Sequence, residues 1–189
     1  MLENYLRLET PRLLLRTFEN KDINTFITYR NDPEVAKYQS WDIPYPETAA
    51  REFIEYLQQA KPGTLGEWYQ IAITLKTTGK IIGDCAFCIL ADDGQQAEIG
   101  FTLSRQYQGK GYATEAVTCL LAYLFTEYKL HRIRANCDSA NIASVRLLER
   151  LGMRREGHFV KSLWFKGEWA DELWFAILRE QWQVYGNFS

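Results

Sequence analysis

The sequence predicts a single α/β domain of the α+β kind over residues 1–189, with a mixed, mostly antiparallel twisted sheet of about seven strands and helices on both faces. Two patterns predict it: short runs in which apolar and polar residues alternate, and longer runs in which apolar residues recur every three to four positions. These runs interleave along the chain without a repeat or a change of composition. A length of 189 residues suits one domain, whose core needs no disulfide or metal for support.

Each predicted element has its own pattern. The most regular helix carries one apolar stripe from Ala113 to Phe125, and the odd-numbered residues of the strand before it, 97–103, face one way while Glu98 faces the other. Pro46 opens an earlier helix and Thr48 can cap it. In chain order, the predicted elements are a strand at 12–18, helices at about 20–30 and 46–60, strands at 69–75, 81–90 and 97–103, a helix from 113, a strand at 132–138, a helix at 141–151, and strands at about 153–163 and 169–178.

Charge and cysteine content exclude several classes of protein. The net charge of −2 leaves no basic surplus for nucleic acid, so none is expected as a direct partner. Cys85 and Cys88 form a C-x-x-C pair, but residues three apart on one strand face opposite sides, so we predict four buried, reduced cysteines and no metal site. The N-terminus has no signal-peptide pattern, and no apolar run is long enough to span a membrane, so a cytoplasmic protein is expected.

A glycine turn joins the strand at 97–103 to the helix that follows. Gly109 and Gly111 let the backbone turn sharply, so that successive N–H groups converge at the positive end of the helix dipole. Such a nest binds anions, and Arg105 and Lys110 add positive charge nearby. A plain strand-to-helix connection is the alternative, since a lone G-x-G is a weak signal. Walker and dinucleotide-binding loops are excluded, because no Gly-Lys-Ser/Thr follows and Thr114 stands at the third glycine position.

Three ordered blocks resemble the GNAT superfamily of N-acetyltransferases, and within it the RimJ/RimL-like branch. Gln106-x-x-Gly109-x-Gly111 matches the Q/R-x-x-G-x-G/A motif of that family. The resemblance spans nearly the whole chain, and the other blocks are the segment 141–153 and the residues Arg155-Glu156-Gly157, Gly167 and Asp171. It implies an acetyl-CoA-dependent N-acetyltransferase in which the loop amides hold the pyrophosphate of the cosubstrate.

The resemblance also implies a set of cofactor-binding residues. A backbone N–H near Leu103 is the implied oxyanion donor. The tyrosine acid of many relatives is replaced here by Leu148, and Ser144 is implied near the sulfur instead, with helix capping as the alternative role of Ser144. The implied acetyl-CoA-binding residues are Phe101, Thr102, Leu103, Gln106, Tyr107, Gln108, Gly109, Lys110, Gly111, Tyr112, Ala113, Asn141 and Ser144.

The implied reaction is direct attack of a neutral primary amine on acetyl-CoA in a ternary complex. At pH 7 an α-amine is roughly a tenth neutral and a lysine side chain only about 0.04%, so an N-terminal acceptor demands much less of a base. Glu98 is the candidate for this base, directly or through water, and Asp84 on the neighbouring strand is a weaker candidate. Either carboxylate can equally be a solvated or salt-bridged strand residue.

Three functions stay open. The first is acetylation of a protein or peptide N-terminal α-amine, the second acetylation of a small amine (polyamine, amino sugar, amino acid or toxic amine), and the third a non-catalytic acyl-CoA-binding module. The loops around 30–45 and the last hairpin set the acceptor, and four aromatic residues of the chain can line a pocket or pack as core. These aromatics are Tyr38, Trp41, Trp68 and Trp164. We expect a monomer or a homodimer, with Trp164 and Trp169 as a candidate dimer contact, and no membrane partner.

Overall fold

The computed structural model describes residues 6–186 and contains one mixed sheet with helices on both faces. The strands are β1 (Arg7–Glu9), β2 (Leu13–Arg16), β3 (Trp68–Leu75), β4 (Ile81–Ile89), β5 (Gln96–Leu103), β6 (Arg132–Asp138), β7 (Arg154–Phe165) and β8 (Glu168–Leu178). The helices are α1 (Ile23–Arg30), α2 (Pro33–Ala36), α3 (Glu47–Gln59), α4 (Tyr112–Glu127), α5 (Ile142–Arg150) and α6 (Arg179–Gly186). The strand order is β1-β2-β3-β4-β5-β6-β8-β7, and only β5 and β6 are parallel neighbours.

The predicted fold class is confirmed, with one strand more than the seven that the sequence predicts. β1 is three residues long, too short for a periodic pattern, and it pairs only with β2 at the edge of the sheet. The prediction that Thr48 caps α3 is wrong, because Pro46 is the N-cap residue and α3 begins at Glu47. A 3-10 turn precedes α1, and α2 lies inside the stretch taken as loop. None of the helices in residues 6–186 combines the length and apolar character that crossing a bilayer requires.

Two apolar cores lie on opposite faces of the sheet. The larger core packs the sheet against α4 and α5, and the smaller one lies under α1 and α3 around Phe18 and Phe26. On β3, Ile71 and Ile73 belong to the larger core and Ala72 to the smaller one, as strand alternation requires. The odd-numbered residues of β5 face the larger core, as predicted. The even-numbered residues of β5 therefore face α1 and α3.

The parallel neighbours β5 and β6 separate after a short pairing. They pair only from Gln96 with Arg132 to Glu98 with Arg134, although both strands continue further. At the two ends of β5, Gln96 accepts a hydrogen bond from the Leu90 N–H and Ser104 donates one to the Ile82 carbonyl, so the even-numbered residues of β5 bond to β4. The odd-numbered residues of β5 therefore direct their N–H and C=O groups toward β6. Beyond Glu98, the N–H groups of Phe101 and Leu103 therefore point into a gap in the sheet.

Candidate active site

Two cavities meet at the gap between β5 and β6. One, of about 540 Å³, lies between the glycine turn and the start of α5, and is called the glycine-turn cavity below. The other, of about 530 Å³, lies on the α1 and α3 face of the sheet, and is called the aromatic cavity. The residues that line both are Tyr38, Gln39, Phe101, Thr102, Asn141 and Ser144. Two molecules bound from opposite faces would therefore meet in the gap.

The glycine turn places backbone donors at the start of α4. Gly109 and Gly111 have φ angles of 72° and 80°, in the left-handed region that favours glycine. Gly111 is the N-cap residue of the 16-residue helix α4, and no side chain caps this end. The N–H groups of the first turn are consequently available to an anion. They lie at the positive end of the helix dipole, which favours negative charge.

Residues of the turn between β1 and β2 hold the glycine turn in place. Glu115, in the first turn of α4, accepts hydrogen bonds from the Thr10 hydroxyl at 2.5 Å and from Arg12 Nε at 2.5 Å. Burial raises the pKa of Glu115, but these hydrogen bonds outweigh burial and hold the pKa below its ordinary value. Arg12 also donates to the Lys110 carbonyl at 3.0 Å and lies over the Tyr112 ring at 4.4 Å. The turn is thus ordered by residues about a hundred positions away in sequence.

Three arginines give the glycine-turn cavity its positive charge. Arg105, Arg146 and Arg150 line it, against a single carboxylate, that of Glu34. Of these arginines the sequence analysis identified only Arg105. Arg146 and Arg150 are four residues apart on α5, a spacing that puts both side chains on one helix face and could have revealed them. Guanidinium groups and free backbone N–H groups together form a site that suits phosphate.

Two carboxylates of the aromatic cavity differ in their surroundings. Asp84 is 1% exposed and accepts hydrogen bonds from the Tyr29 hydroxyl and, at 2.6 Å, from the Gln70 amide. Burial raises the pKa of Asp84, and this outweighs the opposing effects of the nearby Arg30 charge and of the two hydrogen bonds. Glu98 lies on the same cavity but is paired with Arg134, whose Nε and Nη2 both lie 3.0 Å from Glu98 Oε2.

The hydroxyl of Ser144 lies where the two cavities meet. Asn141 caps α5, since its Oδ1 accepts the Ser144 backbone N–H at 3.2 Å. Within residues 6–186, no hydrogen bond occupies the Ser144 hydroxyl itself, so the capping role falls to Asn141 alone. Leu148 is fully buried in the larger core and contributes nothing to either cavity.

The sequence model described as acetyltransferase (GNAT) domain matches residues 12–154, a range that contains the glycine turn, the gap and every lining residue of the two cavities except Phe165. This chain belongs to the GNAT acetyltransferase family. It is 37% identical over 177 residues to the uncharacterized N-acetyltransferase YnaD of Bacillus subtilis (strain 168), a match that covers 94% of this chain and 99% of that protein. A GNAT-family acetyltransferase from Bacillus anthracis has a crystal structure that superimposes with a TM-score of 0.83 at 35% identity, covering 93% of this chain and 99% of that one.

Two further GNAT proteins have named acceptors. The ribosomal protein uS5-alanine N-acetyltransferase of Escherichia coli (strain K12) is 34% identical over 84 residues, which are 44% of this chain and 43% of that protein. The spermidine N-acetyltransferase of Vibrio cholerae, solved in complex with CoA and spermine, is 23% identical with a TM-score of 0.78, covering 92% of this chain and 99% of that one. At that identity the likeness shows the fold alone.

The structure brings most of the predicted acetyl-CoA-binding residues of this GNAT protein together. Gln106, Tyr107 and Lys110 are the exceptions, since they lie outside the lining of the glycine-turn cavity. Lys110 Nζ instead donates to the Gln106 carbonyl at 2.8 Å and helps to close the turn. The predicted residues that do line the cavity are Phe101, Thr102, Leu103, Gln108, Gly109, Gly111, Tyr112, Ala113, Asn141 and Ser144.

The last hairpin covers the aromatic cavity of the GNAT domain. Tyr38, Trp41 and Trp68 line this cavity, but Trp164 does not, and it is 59% exposed on the outer face of the hairpin. The turn between β7 and β8 is tied to the opposite wall, because Lys166 Nζ donates to the carbonyls of Ala36 and Trp41, each at 2.8 Å. The hairpin and the loop at 37–46 therefore form one side of the aromatic cavity.

The cysteines depart in part from the prediction. All four are free, as expected, but only Cys85 and Cys88 are buried, while Cys119 and Cys137 are half-buried. The difference arises because Cys137 lies on β6 beyond its pairing with β5, where it lines the aromatic cavity. Burial, and secondarily the Asp138 charge, raises the pKa of the Cys137 thiol to about 11. At neutral pH this thiol is protonated and is a poor nucleophile.

Proposed function

We propose that this enzyme transfers the acetyl group of acetyl-CoA to the α-amine of a protein or peptide N-terminus, by direct attack in a ternary complex. The observation that carries the proposal is the meeting of two cavities at the gap between β5 and β6. Each substrate has its own entrance, and Phe101 and Ser144 lie on both cavities. Such an arrangement needs no covalent intermediate on the enzyme, and the protonated thiol of Cys137 offers none.

The residues of the glycine-turn cavity fit acetyl-CoA. The arginines Arg105, Arg146 and Arg150 and the free N–H groups at the start of α4 suit its phosphates. The open edge of β5 can pair with the amide groups of an extended arm, as an added strand would. When bound, acetyl-CoA supplies an activated acetyl thioester. The Leu103 N–H points into the same gap and is the proposed donor to the developing oxyanion.

The carboxylates of the aromatic cavity are placed to take a proton from the amine. Glu98, the first candidate for this base, is already engaged in an ion pair, because Nε and Nη2 of Arg134 both lie 3.0 Å from Glu98 Oε2. Asp84 is the better base, because burial raises its pKa and so strengthens its affinity for a proton. An α-amine, with a pKa near 7.8, needs only this modest assistance.

Ser144 is proposed to assist departure of the thiolate. Its hydroxyl has no competing partner among residues 6–186 and lies on the lining shared by the two cavities. A hydrogen bond from this hydroxyl stabilises the developing thiolate. A thiol with a pKa near 8.5 leaves without a strong acid, so a hydroxyl is sufficient where many relatives have a tyrosine.

One relative supports an N-terminal α-amine as the acceptor, whereas the size of the aromatic cavity favours a small amine. The similarity to the E. coli uS5-alanine N-acetyltransferase, although it spans less than half of each chain, favours an N-terminal acceptor. The aromatic cavity, at about 530 Å³, also has the size of an ordinary small-molecule site, which favours a small amine as the second candidate.

A thiol-release assay with acetyl-CoA separates the candidates. The acceptors are a peptide with a free α-amine, the same peptide blocked at its N-terminus but carrying a lysine, and spermidine. We expect kcat/KM to be at least about tenfold higher for the free α-amine, because more of it is neutral. A preference for spermidine would select the small-amine function. Calorimetric binding of acetyl-CoA without thiol release from any acceptor would select the non-catalytic module.

A further inference from the structure

A buried arginine whose guanidinium has no hydrogen-bond partner among residues 6–186 lies in the wall of the aromatic cavity. Arg30, the last residue of α1, is only 6% exposed and lines this cavity. Within residues 6–186, its Nε has no hydrogen-bond partner, and no carboxylate oxygen lies within 4.0 Å of its guanidinium. The guanidinium carbon lies over four aromatic rings, those of Phe26 at 4.2 Å, Trp41 at 4.0 Å, Tyr45 at 4.8 Å and Phe53 at 5.3 Å.

The aromatic rings explain how this charge is tolerated but leave its donors unused. The attraction of a cation to aromatic faces is weaker than the cost of burying a charge that makes no hydrogen bond, so the rings offset only part of that cost. The Trp41 indole donates to the Arg30 carbonyl at 3.0 Å, and Lys166 holds the Trp41 carbonyl, so the rings and the arginine are fixed together. Because Nε is buried, the donors that a ligand in the cavity can reach are the two terminal Nη groups, which make no hydrogen bond within residues 6–186. Two such groups on one planar guanidinium suit a carboxylate, which can accept two parallel hydrogen bonds.

The carboxylates of the same cavity, in contrast, already have partners. Asp84 accepts two side-chain hydrogen bonds, Glu98 is paired with Arg134, and Asp138 accepts a backbone N–H of its own turn at 2.7 Å. An acceptor that carries further positive groups beside its amine meets the charge of Arg30 in the lining. An acceptor that brings its own carboxylate meets the one charged group of the lining that has no partner in residues 6–186.

We propose that Arg30 binds a carboxylate of the acceptor, so that this enzyme selects amines that carry an acid group. The proposal rests on the proposed function, whose acceptor class it narrows. The carboxylate can come from two sources: the α-carboxylate of a free amino acid, or an acidic side chain next to the N-terminus of a peptide. In both, the amine and the carboxylate belong to one molecule and are separated by only a few bonds.

Matched acceptor pairs test the proposal and distinguish the two sources. The first pair is alanine and alaninamide, and the second is the tetrapeptide amides Ala-Glu-Ala-Ala and Ala-Gln-Ala-Ala. Each pair is assayed by thiol release with acetyl-CoA at saturating concentration. We expect kcat/KM to be at least about tenfold higher for the acid in one pair, the usual effect of a charge-assisted pair of hydrogen bonds. Equal values within both pairs would overturn the proposal.

Variants of Arg30 test whether this residue is responsible. Arg30→Met fills the space between the rings without charge, and we expect the ratio of acid to amide to fall to about one. Arg30→Lys keeps the charge but loses the planar fork, so an intermediate ratio is expected. Arg51→Met is the matched control, because Arg51 is exposed on α3 and, in the part of the chain that the structure describes, pairs with Glu47 alone. A ratio that survives in Arg30→Met, with the thermal unfolding curve unchanged, would contradict the role of Arg30.

A binding measurement without acetyl-CoA separates failure of this proposal from failure of the proposed function. The indole N–H of Trp41 gives an NMR signal that reports directly on the surroundings of Arg30. We expect this signal to shift on titration with N-acetylalanine or with the acetylated Glu peptide, and not with the corresponding amides. If no acceptor releases thiol, the proposed function fails, and an acid-specific shift of the Trp41 signal still supports the Arg30 site. Absence of any acid-specific shift overturns it.

Discussion

The two cavities bind by different physical means. The glycine-turn cavity has exposed arginines and backbone N–H groups supplied by two continuous stretches, 101–114 and 141–150. The aromatic cavity draws its lining from segments spread between residues 30 and 165, and its charged groups include Arg30 and Asp84, which are both more than nine-tenths buried. The first suits a ligand common to a whole family, because backbone geometry is insensitive to side-chain change. The second suits selection of one acceptor, because a buried charge penalises any ligand that leaves it unpaired.

The largest expected effect is the loss of acetyl-CoA binding when the glycine turn is altered and the aromatic cavity is left intact. The double variant Gly109→Asp, Gly111→Asp should weaken acetyl-CoA binding by more than about 100-fold in calorimetry, because it strains two left-handed positions and places carboxylates beside the phosphates. Gly79→Asp is the matched control, since Gly79 also has a positive φ of 67° but lies in the β3–β4 turn, outside both cavities. Unchanged affinity in the double variant would show that the turn is only structural.

The next effect separates the two carboxylates of the aromatic cavity. Asp84→Asn should lower kcat/KM about 100-fold if Asp84 accepts the amine proton, whereas Glu98→Gln should have a smaller effect. Since burial raises the pKa of Asp84, its ionised form is lost at a higher pH than that of an exposed aspartate. Below that pKa the logarithm of kcat/KM should fall two units per pH unit, one for the amine and one for Asp84. If the logarithm of kcat/KM of the wild-type enzyme falls by only one unit per pH unit throughout, Asp84 does not accept the amine proton.

A smaller effect is expected where the two cavities meet. Ser144→Ala should lower kcat about tenfold and leave the dissociation constant of acetyl-CoA within about twofold, because the hydroxyl assists only as the thiolate leaves. Ser162→Ala is the comparison, since Ser162 lies on β7, away from the linings of both cavities. Equal loss in binding and in kcat would instead indicate that Ser144 holds the cosubstrate.

The smallest expected effect narrows the aromatic cavity by one methyl group. A Cβ at Gly100 would meet nothing within 4 Å, so Gly100→Ala should raise KM for the acceptor about threefold without changing acetyl-CoA binding. Gly83→Ala is the contrasting variant, because its Cβ would lie 2.2 Å from the Thr102 carbonyl oxygen. We expect this change to lower the melting temperature of the whole domain. An unaltered KM in Gly100→Ala would mean that the acceptor does not reach β5.

Much of the glycine-turn cavity is predictable from sequence. Residue type and spacing are enough to identify the turn glycines Gly109 and Gly111, the helix cap Asn141 and the apolar stripe of α4, because turns, caps and helices are local structures. Arg146 and Arg150 also carry a local signal, their spacing on α5. The clamp between Arg12 and Glu115 carries none, since the pairing of β2 with the sheet brings the two together from 103 residues apart.

The charged groups of the aromatic cavity could not be paired with their partners from the sequence. The sequence offers Glu98 as a base from its strand and the face on which it lies, and Asp84 from its place on the neighbouring strand, but neither observation identifies the partner of the side chain. Only the structure shows that Arg134 pairs with Glu98 and that Asp84 is buried. The sequence gives no sign that Arg30 is buried, because nothing around it in the chain distinguishes a buried arginine from an exposed one at the end of a helix.

The sequence by itself determined the order of elements, the turn that can hold phosphates, and the family to which the chain belongs. Those features depend on periodicity and on glycine positions, which act over a few residues. Only the tertiary structure decided where β5 and β6 separate, which carboxylate pairs with an arginine, and where the Nε of an arginine is left without a partner among residues 6–186. These depend on which distant segments exclude water from a charge, and desolvation is a property of the packed fold rather than of any one stretch of chain.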